Sequence, residues 1–284
     1  MNLISTDIVK GGQQQISNLV WNRKKEALRR RIFFKKMDLI VMERFMEAKR
    51  RIIFPLDFQD LETALSWVEL LKKYVGMFKI GLELFVKYGP KAIEEVRKKT
   101  DLPIFLDLKL CDIPNTVSQA VKSAKALDVD FITVHSLSGR HALESAVEAA
   151  QEKPKILAVT ILTSLDKADL LELGFNGEYI RETEELVLRY ALLASQCGCT
   201  GVVVSGKEVK RIKENLPKLL TVVPGIRLES QDTQDQLRTA TPAEAILSGA
   251  DYLVIGRPIR LSEEPVKTCN IIIQEIERAL GLLR

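Results

Sequence analysis

The chain has 284 residues, enough for one large domain or two small ones, and with 46% apolar and 28% charged residues it has the composition of a globular protein. No apolar run approaches the roughly 20 residues needed to cross a bilayer, which excludes a helical membrane span. The formal net charge of +4 is unevenly held: residues 1–50 carry 12 Lys and Arg against 5 Asp and Glu, leaving 30 against 33 for the rest, so no nucleic-acid-binding core is indicated.

The first 45 residues stand apart from the rest of the chain. The stretch "WNRKKEALRRRIFFKKMDLIVMERFMEAKR" fits a basic amphipathic helix. Its longest apolar run, "LIVM", is too short for the core of a secretory signal. Five acidic residues among residues 1–50, with Ser5 and Ser17 the only serines there, argue against a mitochondrial presequence. Met37, Met42 and Met46 each offer a later start. The expectation for residues 1–45 is a basic extension, helical or disordered, that the fold does not need. The alternative is a basic arm that contacts RNA, acidic membrane or another subunit.

From about residue 46 to the C-terminus, short apolar runs alternate with longer amphipathic ones. "RRIIFPLD" reads as a strand and "DLETALSWVELLKKYVG" as a helix; "MFKIGLEL" is the next strand, and "PKAIEEVRKKT" a helix opened by Pro90. The same alternation pairs "PIFLDLKL" with "NTVSQAVKSAKAL", "FITVHS" with "RHALESAVEAAQE", and "KILAVTILTS" with "EYIRETEELVLRYALLASQCG". It ends with "GVVVSG" and "KEVKRIKENLP", "LLTVVPGI" and "TPAEAILSGA", and "YLVIGRPI" and "EPVKTCNIIIQEIERALGLL". Strands apolar on both faces, alternating with helices, imply a parallel sheet covered by helices. Eight such pairs match a (β/α)8 (TIM) barrel over 46–284. A doubly wound open sheet is less well matched, since no G-x-G-x-x-G follows the first strand.

Charged residues collect where a barrel keeps its chemistry, at the C-terminal ends of strands and in the loops beyond. Asp57 ends the first strand and Lys79 lies on the second. In "FLDLKLCDIPNT" (105–116), Asp107 and Lys109 are two apart on a strand, which puts both side chains on one face, and Asp112 follows in the loop. An unpaired buried charge costs several kcal/mol, roughly, so charges inside so apolar a segment are matched or functional. Thr163 follows strand five, Arg227 strand seven, and Gly256–Arg257 strand eight. The loops after strands seven and eight of such barrels commonly hold a phosphate. Gly256 permits close backbone approach, Arg257 matches phosphate oxygens, and Gln236 could add an amide donor. A phosphorylated small molecule is the expected ligand. Cys111, Cys197, Cys199 and Cys269 lack zinc-ligand spacing and read as reduced thiols of a cytoplasmic protein.

"LDLKLCDIPNT" closely resembles the signature of the orotidine 5′-phosphate decarboxylase family, an Asp-x-Lys-x-x-Asp core followed by Ile-Pro-Asn-Thr. The resemblance continues in order through "FPLD", "FKIGLELF", "VTILTS", "VVPGIR" and "VIGRPI", covering roughly residues 50–280. It implies decarboxylation of orotidine 5′-monophosphate to uridine 5′-monophosphate, in pyrimidine biosynthesis, with neither metal nor organic cofactor. By position, Lys109 would protonate C6 of the pyrimidine and Asp107 would lie beside the departing carboxylate. Asp57 and Lys79 would hold the ribose hydroxyls, Thr163 would contact the base, and Arg227, Gln236, Gly256 and Arg257 would surround the phosphate. Asp112 would complete a Lys79–Asp107–Lys109–Asp112 array from the other subunit of a homodimer, with Ile113 and Thr116 near it.

Two departures stand out. Leu228 occupies a position where the family usually has proline, and "HSLSGR" (135–140) stands for "HASGG". Both bear on loop shape and remove no chemical group. The Asp-x-Lys-x-x-Asp core is shared with metal-dependent sugar-phosphate decarboxylases and synthases of the wider superfamily, and a non-catalytic nucleotide-binding barrel is a third reading.

Overall fold

The structure, a computed structural model, describes residues 39–177, 183–228 and 240–282. Contacts divide the chain into Met1–Met46 and Glu47–Arg284. Of the first unit, residues 39–46 are described and are helical; the remainder of the expected N-terminal extension lies outside the described residues. No helix among the described residues is long and apolar enough to cross a membrane.

Among the described residues the second unit contains eight strands: β1 (Ile52–Pro55), β2 (Met77–Gly81), β3 (Ile104–Leu110), β4 (Phe131–His135), β5 (Lys155–Val159), β6 (Gly201–Val203), β7 (Leu220–Val223) and β8 (Tyr252–Val254). Each pairs in parallel with the next and β8 returns to β1, closing a barrel. The helices are α1 (Leu61–Leu71), α2 (Leu82–Tyr88), α3 (Pro90–Lys99), α4 (Pro114–Ala126), α5 (Arg140–Ala150), α6 (Lys167–Glu172), α7 (Thr183–Gln196), α8 (Val209–Asn215), α9 (Pro242–Leu247), α10 (Arg257–Arg260) and α11 (Pro265–Ala279). The (β/α)8 barrel expected from the alternation is the fold observed.

Helix starts follow local chemistry. Asp60 accepts the Thr63 N–H at 2.7 Å to cap α1, and Thr241 with Glu244 forms a reciprocal capping box on α9. Proline opens α3, α4, α9 and α11 and is the second residue of α10, positions where a missing N–H leaves no bond unmade.

The pleat divides each strand between two cores. On β1, Ile53 faces the barrel interior, while Phe54 faces outward and stacks on Trp67 of α1 with ring centroids 5.5 Å apart. Ile53, Met77, Phe105, Phe131, Leu157 and Val222 form the interior cluster, joined by Val203, Tyr252 and Val254. All eight strands contribute to this plug, so the barrel is filled. Two positions further along, the inward row turns polar: Lys79 follows Met77, Asp107 follows Phe105, and Thr133 follows Phe131. An apolar plug thus carries a charged layer at the C-terminal mouth.

Several boundaries differ from the sequence reading. "MFKIGLEL" is not all strand: β2 stops at Gly81, and the next residues form α2, which buries Leu84. "YLVIGRPI" likewise gives a three-residue strand and, beyond Gly256, the short helix α10. The first strand ends at Pro55, so Asp57 lies two residues past it. Part of "EYIRETEELVLRYALLASQCG" forms α7, and residues 178–182 of it lie outside the described residues. The cysteines are all free: Cys111 is exposed and the other three buried, with burial pushing Cys199 and Cys269 up to about 12.

Candidate active site

A cavity of about 430 Å³ opens at the C-terminal mouth of the barrel, within the range of small-molecule sites. Its floor is apolar, made by Phe105, Val203, Val222 and Val254. One side carries alternating charges. Lys79 Nζ lies 3.3 Å from Asp57 Oδ1 and 3.3 Å from Asp107 Oδ2, and Lys109 Nζ lies 3.0 Å from both oxygens of Asp107. Burial alone would push the Lys79 ammonium down; the Asp107 and Asp57 carboxylates outweigh it and hold it above the ordinary lysine value. Burial acts to raise Asp107 as well, but the Lys79 and Lys109 ammonium groups hold its carboxyl below the usual carboxylate range. The pair-wise matching explains how charges persist in so apolar a strand.

Lys109 reaches this position through an irregularity in β3. Leu106 pairs with Ile132 and Leu110 with Val134, so β3 advances four residues while β4 advances two. The extra length is a bulge, and within it Lys109 takes a left-handed backbone conformation with φ +50. Simple strand alternation therefore does not by itself account for its direction. Behind it, burial, and next to that the Lys109 charge, lowers the pKa of His135, whose Nδ1 accepts the Leu137 N–H at 3.3 Å.

The residues after β7 and β8 add arginines to the lining. Arg227 is buried and donates from Nη1 to the Ile226 carbonyl at 2.9 Å, and Arg257 stands at the start of α10. Arg260 also lines the cavity; its Nη1 donates to the Asp57 carbonyl at 2.7 Å. A Cβ on Gly256 would come within 2.8 Å of Pro55 Cγ, so only glycine lets the loop after β8 close against β1. A Cβ on Gly81 would sit 3.0 Å from Lys79 Nζ and 3.1 Å from Asp57 Oδ1. Among the described residues, no group of three or more His, Cys, Asp or Glu side chains is placed to hold a metal ion.

Comparison with known proteins bears directly on this arrangement. The profile of the "Orotidine 5′-phosphate decarboxylase / HUMPS family" matches residues 50–272. The chain belongs to that family. A protein named orotidine 5′-phosphate decarboxylase from Wolbachia pipientis subsp. Culex pipiens is 45% identical over 227 residues, covering 79% of this chain and 98% of its own. One of the same name from Trichlorobacter lovleyi is 44% identical over 237 residues, covering 81% and 96%. The crystal structure of orotidine 5′-phosphate decarboxylase from Lactobacillus acidophilus superposes with a TM-score of 0.66 at 34% identity, covering 79% of this chain and 98% of that one.

Of the residues singled out by the orotidine 5′-phosphate decarboxylase resemblance, Asp57, Lys79, Asp107, Lys109, Thr163, Arg227, Gly256 and Arg257 line one cavity. Asp112, Ile113 and Thr116 do not line it. All three are exposed, and the Asp112 carboxylate accepts the Ile113 N–H at 2.6 Å. Gln236 lies outside the described residues. Sequence reasoning missed Arg260, one helical turn from Arg257, and the apolar floor. It also missed Thr133, which the period-two row from Phe131 marks as inward.

Proposed function

We propose that this chain decarboxylates orotidine 5′-monophosphate to uridine 5′-monophosphate in pyrimidine biosynthesis. The observation that carries this reading is a lysine amine held 3.0 Å from both oxygens of one buried carboxylate, in the same cavity as Arg257 and Arg227. Arg227, Gly256 and Arg257 hold the phosphate, Asp57 and Lys79 the ribose hydroxyls, and Thr163 the base. The apolar floor of Phe105, Val203, Val222 and Val254 receives the ring and excludes water.

Breaking the C6–carboxylate bond leaves its electron pair on a carbon with no sink, so the catalyst must contribute an amount near the top of the roughly 8–23 kcal/mol range. The Lys109 ammonium faces the developing negative charge and stabilises it more in the transition state than in the ground state. It then gives its proton to C6, the N–H electron pair returning to Nζ as CO₂ leaves. Asp107 holds that ammonium by two oxygens and sets its direction. Its negative charge also opposes the substrate carboxylate, a repulsion that ends when neutral CO₂ departs. Binding energy from the phosphate, which does not react, organises the charged side of the site.

Asp112, Ile113 and Thr116 are assigned to a neighbouring copy. They lie outside their own cavity, and Ile113 is 67% exposed, an apolar side chain suited to an interface. A homodimer in which each chain lends Asp112 to the other site accounts for their position.

The test is the ultraviolet absorbance of orotidine 5′-monophosphate incubated with wild-type protein and with Lys109→Ala, each with and without EDTA. Turnover by the wild type that chelator leaves unchanged, and its near-abolition in the variant, is expected. Chelator-sensitive turnover would favour the metal-dependent sugar-phosphate branch. Binding of uridine 5′-monophosphate without turnover would favour a non-catalytic nucleotide-binding barrel.

A further inference from the structure

Thr133 takes no part in the chemistry assigned to the site, yet it is bonded both to the backbone of Lys109 and to the carboxylate of Asp107. β4 carries it into the barrel, one inward position above Phe131, where it is fully buried. Its hydroxyl makes two bonds: Oγ1 donates to Asp107 Oδ1 at 3.0 Å and accepts the Lys109 backbone N–H at 2.8 Å. A hydroxyl offers one proton and two lone pairs, an ionised carboxylate can only accept, and an amide N–H can only donate. Both directions are therefore fixed.

The bulge in β3 explains why a side chain is needed there. Between the Leu106–Ile132 and Leu110–Val134 pairs the ladder is interrupted, and the Lys109 N–H finds a hydroxyl on β4 instead of a carbonyl. Lys109 also holds φ +50, a conformation that non-glycine residues sustain only where their surroundings over-determine it. The bond to Thr133 is one such determinant. The same hydroxyl steadies one oxygen of Asp107, and both oxygens of Asp107 lie 3.0 Å from the Lys109 amine. One small side chain thus anchors the backbone of the proton donor and the carboxylate that aims it.

We infer that Thr133 is a positioning residue for decarboxylation, setting the direction of the Lys109 ammonium through its backbone and through Asp107. The inference rests on the assignment of Lys109 as proton donor, and it adds to that assignment a residue that need not touch substrate. A purely structural role is the competing account: a β-branched side chain filling the barrel. The two accounts differ over the hydroxyl, because valine keeps the shape and serine keeps the hydrogen bonds.

Thr133→Val, Thr133→Ser and Lys109→Ala are measured in parallel, with folding followed by near-ultraviolet circular dichroism and binding by titration of uridine 5′-monophosphate. Thr133→Val is expected to lower kcat at least about tenfold while KM and product affinity stay within roughly threefold. Thr133→Ser is expected to keep kcat within about threefold of wild type. A kcat for Thr133→Val within threefold of wild type, or a Thr133→Ser variant as impaired as the valine, overturns the inference, the latter by showing that the methyl group carries the effect. If Thr133→Val does not fold, Thr133→Ala, which also lacks the hydroxyl, is compared with serine against the same limits. Retained turnover in Lys109→Ala overturns the proton-donor reading itself, a failure distinct from normal kcat in Thr133→Val beside an inactive Lys109→Ala.

Discussion

Replacing Asp107 with asparagine keeps the side-chain shape and removes a negative charge that touches both lysines. That carboxylate lies 3.0 Å from Lys109 Nζ and 3.3 Å from Lys79 Nζ, with 12% of its side chain exposed. Removing one partner of a buried ion pair costs about 3–5 kcal/mol. Two features reduce the value here: Lys79 keeps Asp57 at 3.3 Å, and the Lys109 side chain is 32% exposed, so water screens it. The expected loss is about 2–3 kcal/mol, which lowers the thermal midpoint by roughly 4–12 °C in a domain of this size. The sign of the pH dependence follows from the same contacts. Burial acts to raise the Asp107 pKa, but the two lysines hold it below its ordinary value. A carboxyl depressed on folding contributes stability above its unfolded pKa of about 3.9, and loses it as pH falls through the folded value. The difference between wild type and Asp107→Asn, measured by urea unfolding, should be full at pH 7 and shrink below about pH 4. Equal stabilities at pH 7, or a gap that widens on acidification, would refute the reasoning.

Arg257→Ala is expected to lower kcat/KM by orders of magnitude although the residue is assigned to the phosphate; steady-state kinetics showing a loss under about threefold would contradict the assignment. Gly81→Ala should leave the thermal midpoint nearly unchanged, because the new methyl meets the ends of flexible side chains, while lowering kcat by shifting Lys79 and Asp57; an altered midpoint with unaltered kcat would reverse that view. Mixing inactive Lys109→Ala with inactive Asp112→Ala should restore turnover in the hybrid dimer, which carries one complete site; absence of recovery after verified subunit exchange argues against a shared site. Residues 1–45 are proposed to be dispensable, so their deletion should leave kcat/KM and solubility intact in a direct comparison with the full chain.

The barrel was legible in the sequence because parallel strands covered on both faces leave unbroken apolar runs, and the amphipathic stretches between them leave a helical period. Boundaries were less so. α2 begins straight after Gly81 with an apolar leucine, which continues the strand pattern on paper, and α10 is a single turn behind Gly256. At the site, Lys79 and Asp107 were legible because a charge in a buried strand must be matched or put to use. The posture of Lys109 was not, since it depends on a bulge that shows only when β3 is laid against β4. Thr133 was hidden for another reason: a threonine inside an apolar strand looks like an ordinary β-former until its two partners are seen. Asp112 illustrates the converse, a residue that the motif names and the single chain leaves outside its own cavity.

Closure of the sheet has a bearing on when the site can exist at all. Ile52 and Ile53 of the first strand pair with Leu253 and Val254 of the last, and Arg260 grips the carbonyl of Asp57 across the same seam. The side chains assigned to the sugar and those assigned to the phosphate therefore meet only where the two ends of the barrel are zipped together. A growing polypeptide would carry most of its reactive groups early, yet have nowhere to seat a nucleotide until synthesis is almost complete.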